Sequence, residues 1–233
     1  MKVDVLMAVS GNGEHLVKAM DSLLGQTYKN LRVIVVDDSC DRECKRILSG
    51  YGKHKKIRIV VNKSRLGLTK SLNKAIGYSN AKLIARMDAD DISHPERIEK
   101  QVRYLTENLG LGLIGCQANL IDEGGAKIGE TELPEKTGEI KKIIYKRNPI
   151  IHSSWLVRRE VFDKVGRYNE FFRYAQDYEW LLRAAKRFKM ANMGERLLDY
   201  RRTKQQFRPL YYYKQQAYAV LARLKNILVM RAI

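Results

Sequence analysis

Within the first 110 residues, short apolar runs alternate with segments whose apolar residues recur at helical spacing. That alternation restricts the chain to few folds. Val3–Val9, Leu31–Val36, Ile57–Val61 and Lys82–Met87 read as buried strands, the kind whose two faces are both covered. Between them, Leu16-Val17, Met20 and Leu23-Leu24 predict a helix ending at Gly25. Asp41–Ser49 and Leu66–Tyr78 predict two more. A fourth covers Glu96–Asn108, with Pro95 tolerated at its first turn. Strand–helix alternation of this kind predicts an α/β fold built on a mostly parallel, doubly wound sheet. Ligands of such sheets bind outside the carboxyl ends of the strands. Asp37-Asp38 and Asp88-Ala89-Asp90-Asp91 both fall at strand ends, so both acidic clusters belong on the binding edge.

The second half reads differently. Cys116–Asp122 and Ala126–Thr131 flank a Glu123-Gly124-Gly125 turn and predict a hairpin. Thr137–Arg147 predicts a helix, Ile150–Val157 a strand carrying His152, and Asp177–Phe188 a helix after the irregular Gly166–Ala175. From about Arg208 to Ile233 the chain predicts one long amphipathic helix. Its apolar face uses Leu210, Tyr213, Ala217, Val220, Leu221, Leu224, Ile227 and Leu228. Length and patterning suit one α/β domain over 1–204, with halves at 1–115 and 116–204, and a basic helix at 205–233.

Lysine and arginine exceed aspartate and glutamate by 44 to 26, a net charge of +18. Such a field attracts nucleic acid, anionic lipid or phosphorylated substrates. From Arg201 to Ile233 there are eight Lys/Arg and no acidic residue. Against that background, clustered carboxylates need a reason. Three cysteines make no disulfide framework and point to a reducing compartment, the cytoplasm. Cys40 and Cys44 lack a second pair at zinc-ligand spacing. The first residues enter an apolar run without the pattern of a signal peptide. No stretch of about 18 apolar residues predicts a membrane span.

Three constellations offer chemistry. In an extended segment Asp88 and Asp90 point the same way, and carboxylates are the ligands Mg²⁺ or Mn²⁺ takes beside substrate phosphates. A solvated acidic turn is the alternative. Asp37-Asp38 either binds a ribose or base edge or caps the helix at Asp41. Gly11-Asn12-Gly13 lacks the third glycine of a dinucleotide fingerprint. Asp177, in Gln176-Asp177-Tyr178-Glu179-Trp180, is either a first-turn acid or a general base. Trp180 either packs in the core or stacks on a sugar.

Together these stretches resemble family 2 glycosyltransferases of the GT-A fold. The resemblance rests on Val3–Ser10, Ser22–Tyr28, Ile34–Ser39, Asn62–Asn73, Met87–Ile92 with Pro95–Arg97, and Gln176–Arg183, and spans about residues 3 to 203. It implies a metal-dependent, inverting transferase moving a sugar from a nucleotide-sugar donor, UDP-linked in most relatives, to a glycan or lipid-linked acceptor. It implies that 1–115 is the nucleotide-sugar-binding half and 116–204 the acceptor-binding half, and that Ala8, Ser10, Asp38, Arg65, Asp88, Ala89 and Asp90 bind the donor. Asp90 and Asp88 would hold a divalent Mn²⁺ or Mg²⁺, and Asp177 would be the base. His152, Gln176 and Trp180 fall on the acceptor side. Arg201, Arg202 or Lys204 would meet the diphosphate.

The chain also departs from the family pattern. Ala8-Val9-Ser10-Gly11 stands where the family commonly has Pro-x-Tyr-Asn, which leaves the base open. Gln176 replaces a common Glu, and Thr203 a common His. The basic helix has three candidate partners: its own domain, an anionic membrane surface, or a second copy. A nucleic-acid binder lacks a reading motif here. A nucleotidyltransferase would share the metal-binding carboxylates but release diphosphate.

Overall fold

In the computed structural model, residues 1–11, 13–203 and 209–231 are described, with backbone alone at 229–231. The first half follows the predicted alternation: β1 (Val3–Val9), α1 (Leu16–Leu24), β2 (Leu31–Asp37), α2 (Arg42–Tyr51), β3 (Ile57–Val61), α3 (Leu68–Tyr78) and β4 (Leu83–Arg86). The apolar runs form strands because both sheet faces bury them. One side chain set of β1 (Val3, Val5, Met7, Val9) packs under α1, and the other (Leu6, Ala8) under α3. Asp41 caps α2 by accepting from Cys44 N at 2.9 Å, so the capping role belongs to Asp41 rather than to Asp37 or Asp38.

After β5 (Ile92–Ser93) and α4 (Arg97–Glu107), the second half adds β6 (Leu111–Ile121), β7 (Lys127–Glu130), α5 (Thr137–Ile143), β8 (Leu156–Arg158), α6 (Arg159–Val165), α7 (Gln176–Ala184), β9 (Lys189–Arg201) and α8 (Pro209–Arg231). One sheet runs through both halves in the order β3-β2-β1-β4-β8-β6-β9-β5, with β7 on β6. The pairs among β1 to β4 are parallel. β8 joins β4 and β6 antiparallel, so the sheet becomes mixed beyond β4.

Three expectations change. His152 does not sit on a strand: His152–Ser154 forms a single 3-10 turn, and β8 starts only at Leu156. The longest strand, β9, is absent from the sequence expectation. Its register against β6 shifts between Met193 and Arg196, and that irregularity breaks the two-residue alternation by which strands are recognised. The third change concerns α8. Its predicted apolar face is not the one that docks. Ala222 and Asn226 are buried, and Tyr218 and Ala219 pack on the core, whereas Tyr213, Val220, Leu224 and Leu228 are exposed.

Trp180 is fully buried, with its ring 4.6 Å from Phe162, 5.3 Å from Trp155 and 6.1 Å from Tyr168. Its indole Nε1 donates to Gly166 O at 2.8 Å. Of the two readings of Trp180, core packing is therefore the one the fold adopts. Trp180→Ala is expected to cost about 3–5 kcal/mol, the usual range for emptying a buried aromatic site. Chemical denaturation checks this: a loss under about 1 kcal/mol would mean that the cluster is not the keystone of this half.

Candidate active site

A cleft of about 1270 Å³ opens at the carboxyl ends of β1 and β4, where a sheet of this topology places its ligands. Its floor is Ala8, Ser10 and Gly11 after β1, and Arg86, Asp88, Ala89 and Asp90 after β4. The 3-10 turn with His152 and Ser153 forms one side, and Ala175, Gln176 and Asp177 at the start of α7 form another. Tyr174, Tyr211, Tyr212 and Gln215 stand at the rim, where α8 meets the domain.

One carboxylate oxygen from each of Asp88, Asp90 and Asp91 lies within 4.8 Å of the other two. Burial and the neighbouring Asp88 charge push the Asp90 carboxyl up to about 6, and the same causes push Asp91 well above the usual range. Packing like charges out of water has this effect unless a cation joins them. Asp91 is buried: its Oδ1 accepts from Arg201 N at 2.8 Å, while its Oδ2 has no hydrogen-bond partner among the described residues. Asp88 is held by both terminal nitrogens of Arg86, and its own N–H donates to Ser153 Oγ at 2.9 Å. An all-oxygen donor set with raised affinity for positive charge fits Mg²⁺ or Mn²⁺.

Asp177 lies across the cleft. Ala175 enters α7 in the left-handed region (φ 54°, ψ 27°), a conformation that non-glycine residues rarely adopt outside functional sites. That turn delivers Gln176 and Asp177 to the cleft wall. Asn148 Nδ2 donates to Asp177 Oδ2 at 2.8 Å and orients the carboxylate. Burial raises the Asp177 carboxyl above the usual range, despite help from the N–H groups of its helix and the Arg86 charge. His152 is buried, with Nε2 2.8 Å from Tyr168 Oη. Burial, then Arg86, hold its imidazole well below the usual range, so it stays neutral at physiological pH.

Of the other sequence candidates, Asp38, Arg65 and Arg201 fall behind the cleft. Asp38 is fully buried and does not line the cleft. Its Oδ1 accepts from Leu66 N (2.7 Å) and Asn62 Nδ2 (2.8 Å), and its Oδ2 from Gly67 N (2.7 Å). Gly67 has φ 87°, which suits glycine, so Asp38 pins a sharp loop ahead of α3. Arg65 is tied to that loop and donates to Ser10 O (3.1 Å) and Ser39 O (2.8 Å), behind the β1 end of the cleft. Arg201 is buried: Nε donates to Asp90 O at 2.8 Å, and Nη1 to Asp122 O at 2.6 Å and Glu123 O at 3.0 Å. It braces the acidic loop rather than lining the cleft. Arg202 and Thr203 do line it. Lys204 lies outside the described residues.

Residues that sequence reasoning missed are Arg86, Ser153, Asn148 and Arg97. The last is fully buried, with Nη1 donating to Ser153 O (2.7 Å) and Nε to Ser93 Oγ (2.8 Å). It fixes the turn against which Asp88 leans. Its place in Pro95-Glu96-Arg97 was visible, but its long-range partners were not.

An open α/β sheet with a carboxylate cluster at the strand ends, facing the half-buried carboxylate of Asp177, suits metal-assisted group transfer. Comparison narrows the class. The model of glycosyl transferase family 2 matches residues 4–166. An uncharacterized glycosyltransferase of Methanocaldococcus jannaschii is 35% identical over 205 residues, 85% of this chain and 70% of that protein. The O-antigen biosynthesis glycosyltransferase WbnJ of Escherichia coli is 31% identical over 96% of this chain and 89% of its own length. Among solved structures, S. aureus TarS 1–349 with UDP-GlcNAc superposes with a TM-score of 0.74 at 18% identity, over 94% of this chain and 66% of that one. At that identity the likeness speaks for the fold. The chain belongs to glycosyl transferase family 2 and is a glycosyltransferase of GT-A architecture.

Proposed function

We propose that this chain transfers a sugar, with inversion, from a nucleotide-sugar donor to a hydroxyl of a glycan or lipid-linked glycan. The observation that carries this reading is the placement of Asp177 in the same cleft as Asp88 and Asp90. Asp177 takes the proton of the acceptor hydroxyl as that oxygen bonds to the anomeric carbon. The bond from that carbon to the diphosphate breaks on the opposite side, and the nucleoside diphosphate leaves with the electron pair. One base suffices, because no sugar–enzyme bond forms. A divalent Mg²⁺ or Mn²⁺ held by Asp90 and Asp88 would neutralise charge on the departing diphosphate. Arg202, which lines the cleft, would meet the same phosphates. Ala8, Ser10 and Ala89 approach the donor as the small floor of the cleft, with Asp38 and Arg65 fixing the loop behind it. His152 and Gln176, with Tyr174 and Tyr211 at the rim, face the acceptor.

The bound UDP-GlcNAc in TarS supports a UDP-linked donor, and the names of WbnJ and of the amylovoran biosynthesis glycosyltransferase AmsE of Erwinia amylovora support polysaccharide biosynthesis. The three cysteines are free, in keeping with a cytoplasmic setting.

Thermal melting against nucleoside diphosphates and their sugars, each with Mn²⁺ or with EDTA, tests the donor. A ligand that binds only the folded state at a hundredfold over its dissociation constant stabilises by about 2.7 kcal/mol. The expected result is a metal-dependent rise with UDP and one UDP-sugar. A rise only with nucleoside triphosphates would replace this reading with nucleotidyl transfer.

A further inference from the structure

The helix α8 has two apolar faces, and only one is covered. Tyr211, Tyr218, Ala222 and Asn226, spaced seven, four and four, form the seam against the domain. Ala222 and Asn226 are buried, Tyr218 packs on Phe171, Phe172 and Tyr174, and Lys186 Nζ donates to Asn226 O at 2.9 Å. Tyr213, Val220 and Leu224 follow the same spacing two residues later, and Ile227 continues their line three residues on. At 100° per residue that offset puts them opposite the seam. Leu210, Leu221 and Leu228 widen this second stripe, and the exposures of all seven run from 38% to 68%.

We infer that this outer stripe of α8 lies in the interface of an anionic lipid membrane. Charge selects this occupant. Lys214 flanks the stripe on one side and Arg223 on the other, by the same helical angles, while Lys225 beside Lys214 leans back to Glu179 at 3.6 Å. Residues 201–233 contain no acidic residue at all. Arg223 also donates to Lys146 O at 3.1 Å, which brings the chain after α5 alongside, with Lys141, Lys142, Lys146 and Arg147 all exposed. An apolar strip edged by cations on both sides is what an anionic headgroup region takes up. A second copy would bring the same +18 charge and the same flanking cations to the strip, so like charges would face each other. Among the described residues no helix is long and apolar enough to cross a membrane, so the contact is peripheral. The first two turns of α8 also supply Tyr211, Tyr212 and Gln215 to the rim of the cleft, so a helix resting on lipid holds the cleft rim near the surface.

Co-sedimentation of the whole chain tests this, with phosphatidylcholine vesicles with and without about one third phosphatidylglycerol. Binding is expected only to the anionic vesicles and should weaken as salt rises. Leu224→Glu with Leu228→Glu, on the outer stripe and away from the cleft, should lower partition by about tenfold or more and leave the melting temperature and its nucleotide response unchanged. Lys214→Glu should lower it by about fivefold or more. Absence of binding to anionic vesicles at low salt overturns the proposal. So does a wild-type dimer in light scattering that the double substitution dissolves without any vesicle binding, which would assign the stripe to a second copy.

Discussion

Asp177→Asn is expected to abolish sugar transfer, lowering kcat by about a thousandfold or more, while donor affinity stays within about twofold. The amide keeps the size of the carboxylate and can still accept from Asn148 Nδ2, so the fold and the cleft wall survive. What disappears is a group able to take the acceptor proton. The wild-type enzyme should carry the signature of that group in its pH dependence. Only the ionised carboxylate accepts a proton, and burial raises its pKa. kcat/KM should therefore fall on the acid side, with a midpoint above the ordinary aspartate range, and the residual rate of Asp177→Asn should lack that limb. Near-normal turnover in Asp177→Asn would remove this residue from the chemistry and leave its first-turn position on α7 as its whole role.

The second large effect concerns Asp90. Asp90→Asn should eliminate the extra stabilisation that Mn²⁺ gives in the presence of nucleotide, and lower donor affinity with metal by about a hundredfold. Without metal the same change should raise the melting temperature at neutral pH by about 2–4 °C. The two directions have one cause. Asp88, Asp90 and Asp91 repel each other across less than 4.8 Å, and a carboxylate whose folded pKa is raised costs stability once it is ionised. Removing one charge relieves the fold and empties the cation site together, a trade between stability and function. Differential scanning calorimetry with and without EDTA separates the arms. If Asp90→Asn responded to metal and nucleotide as the wild type does, the cation would have to sit elsewhere.

Much of the first half was legible from local patterns. Continuous apolar runs followed by helical periodicity identify buried parallel strands. The strand-end position of Asp88-Ala89-Asp90-Asp91 then follows from counting along the chain. The order of the family motifs singled out Asp177, which the fold brings to the same cleft as Asp88 and Asp90. Less legible were the residues whose role depends on distant partners. Asp38 and Asp88 look alike in sequence, each an aspartate after a buried strand. In the fold, Asp38 is closed off by the N–H groups of Leu66 and Gly67, while Asp88 opens onto the cleft. Arg201 and Arg202 are neighbours with opposite fates, because alternate side chains on a strand point to opposite faces. Arg201 turns inward to the carbonyls of Asp90, Asp122 and Glu123, and Arg202 lines the cleft.

The C-terminal helix marks the boundary most clearly. Sequence by itself determined that residues near 209–231 form a helix with a wide apolar stripe and no acidic residue, because periodicity and charge are properties of the chain alone. It could not determine which face docks. The narrower seam of Tyr211, Tyr218, Ala222 and Asn226 won, because Tyr218 packs on Phe172 and Tyr174, Tyr211 packs on Tyr174, and Lys186 Nζ donates to the backbone carbonyl of Asn226. Hydrophobic burial rewards area without direction, whereas close packing depends on shape and on hydrogen-bond partners brought together only by the tertiary fold.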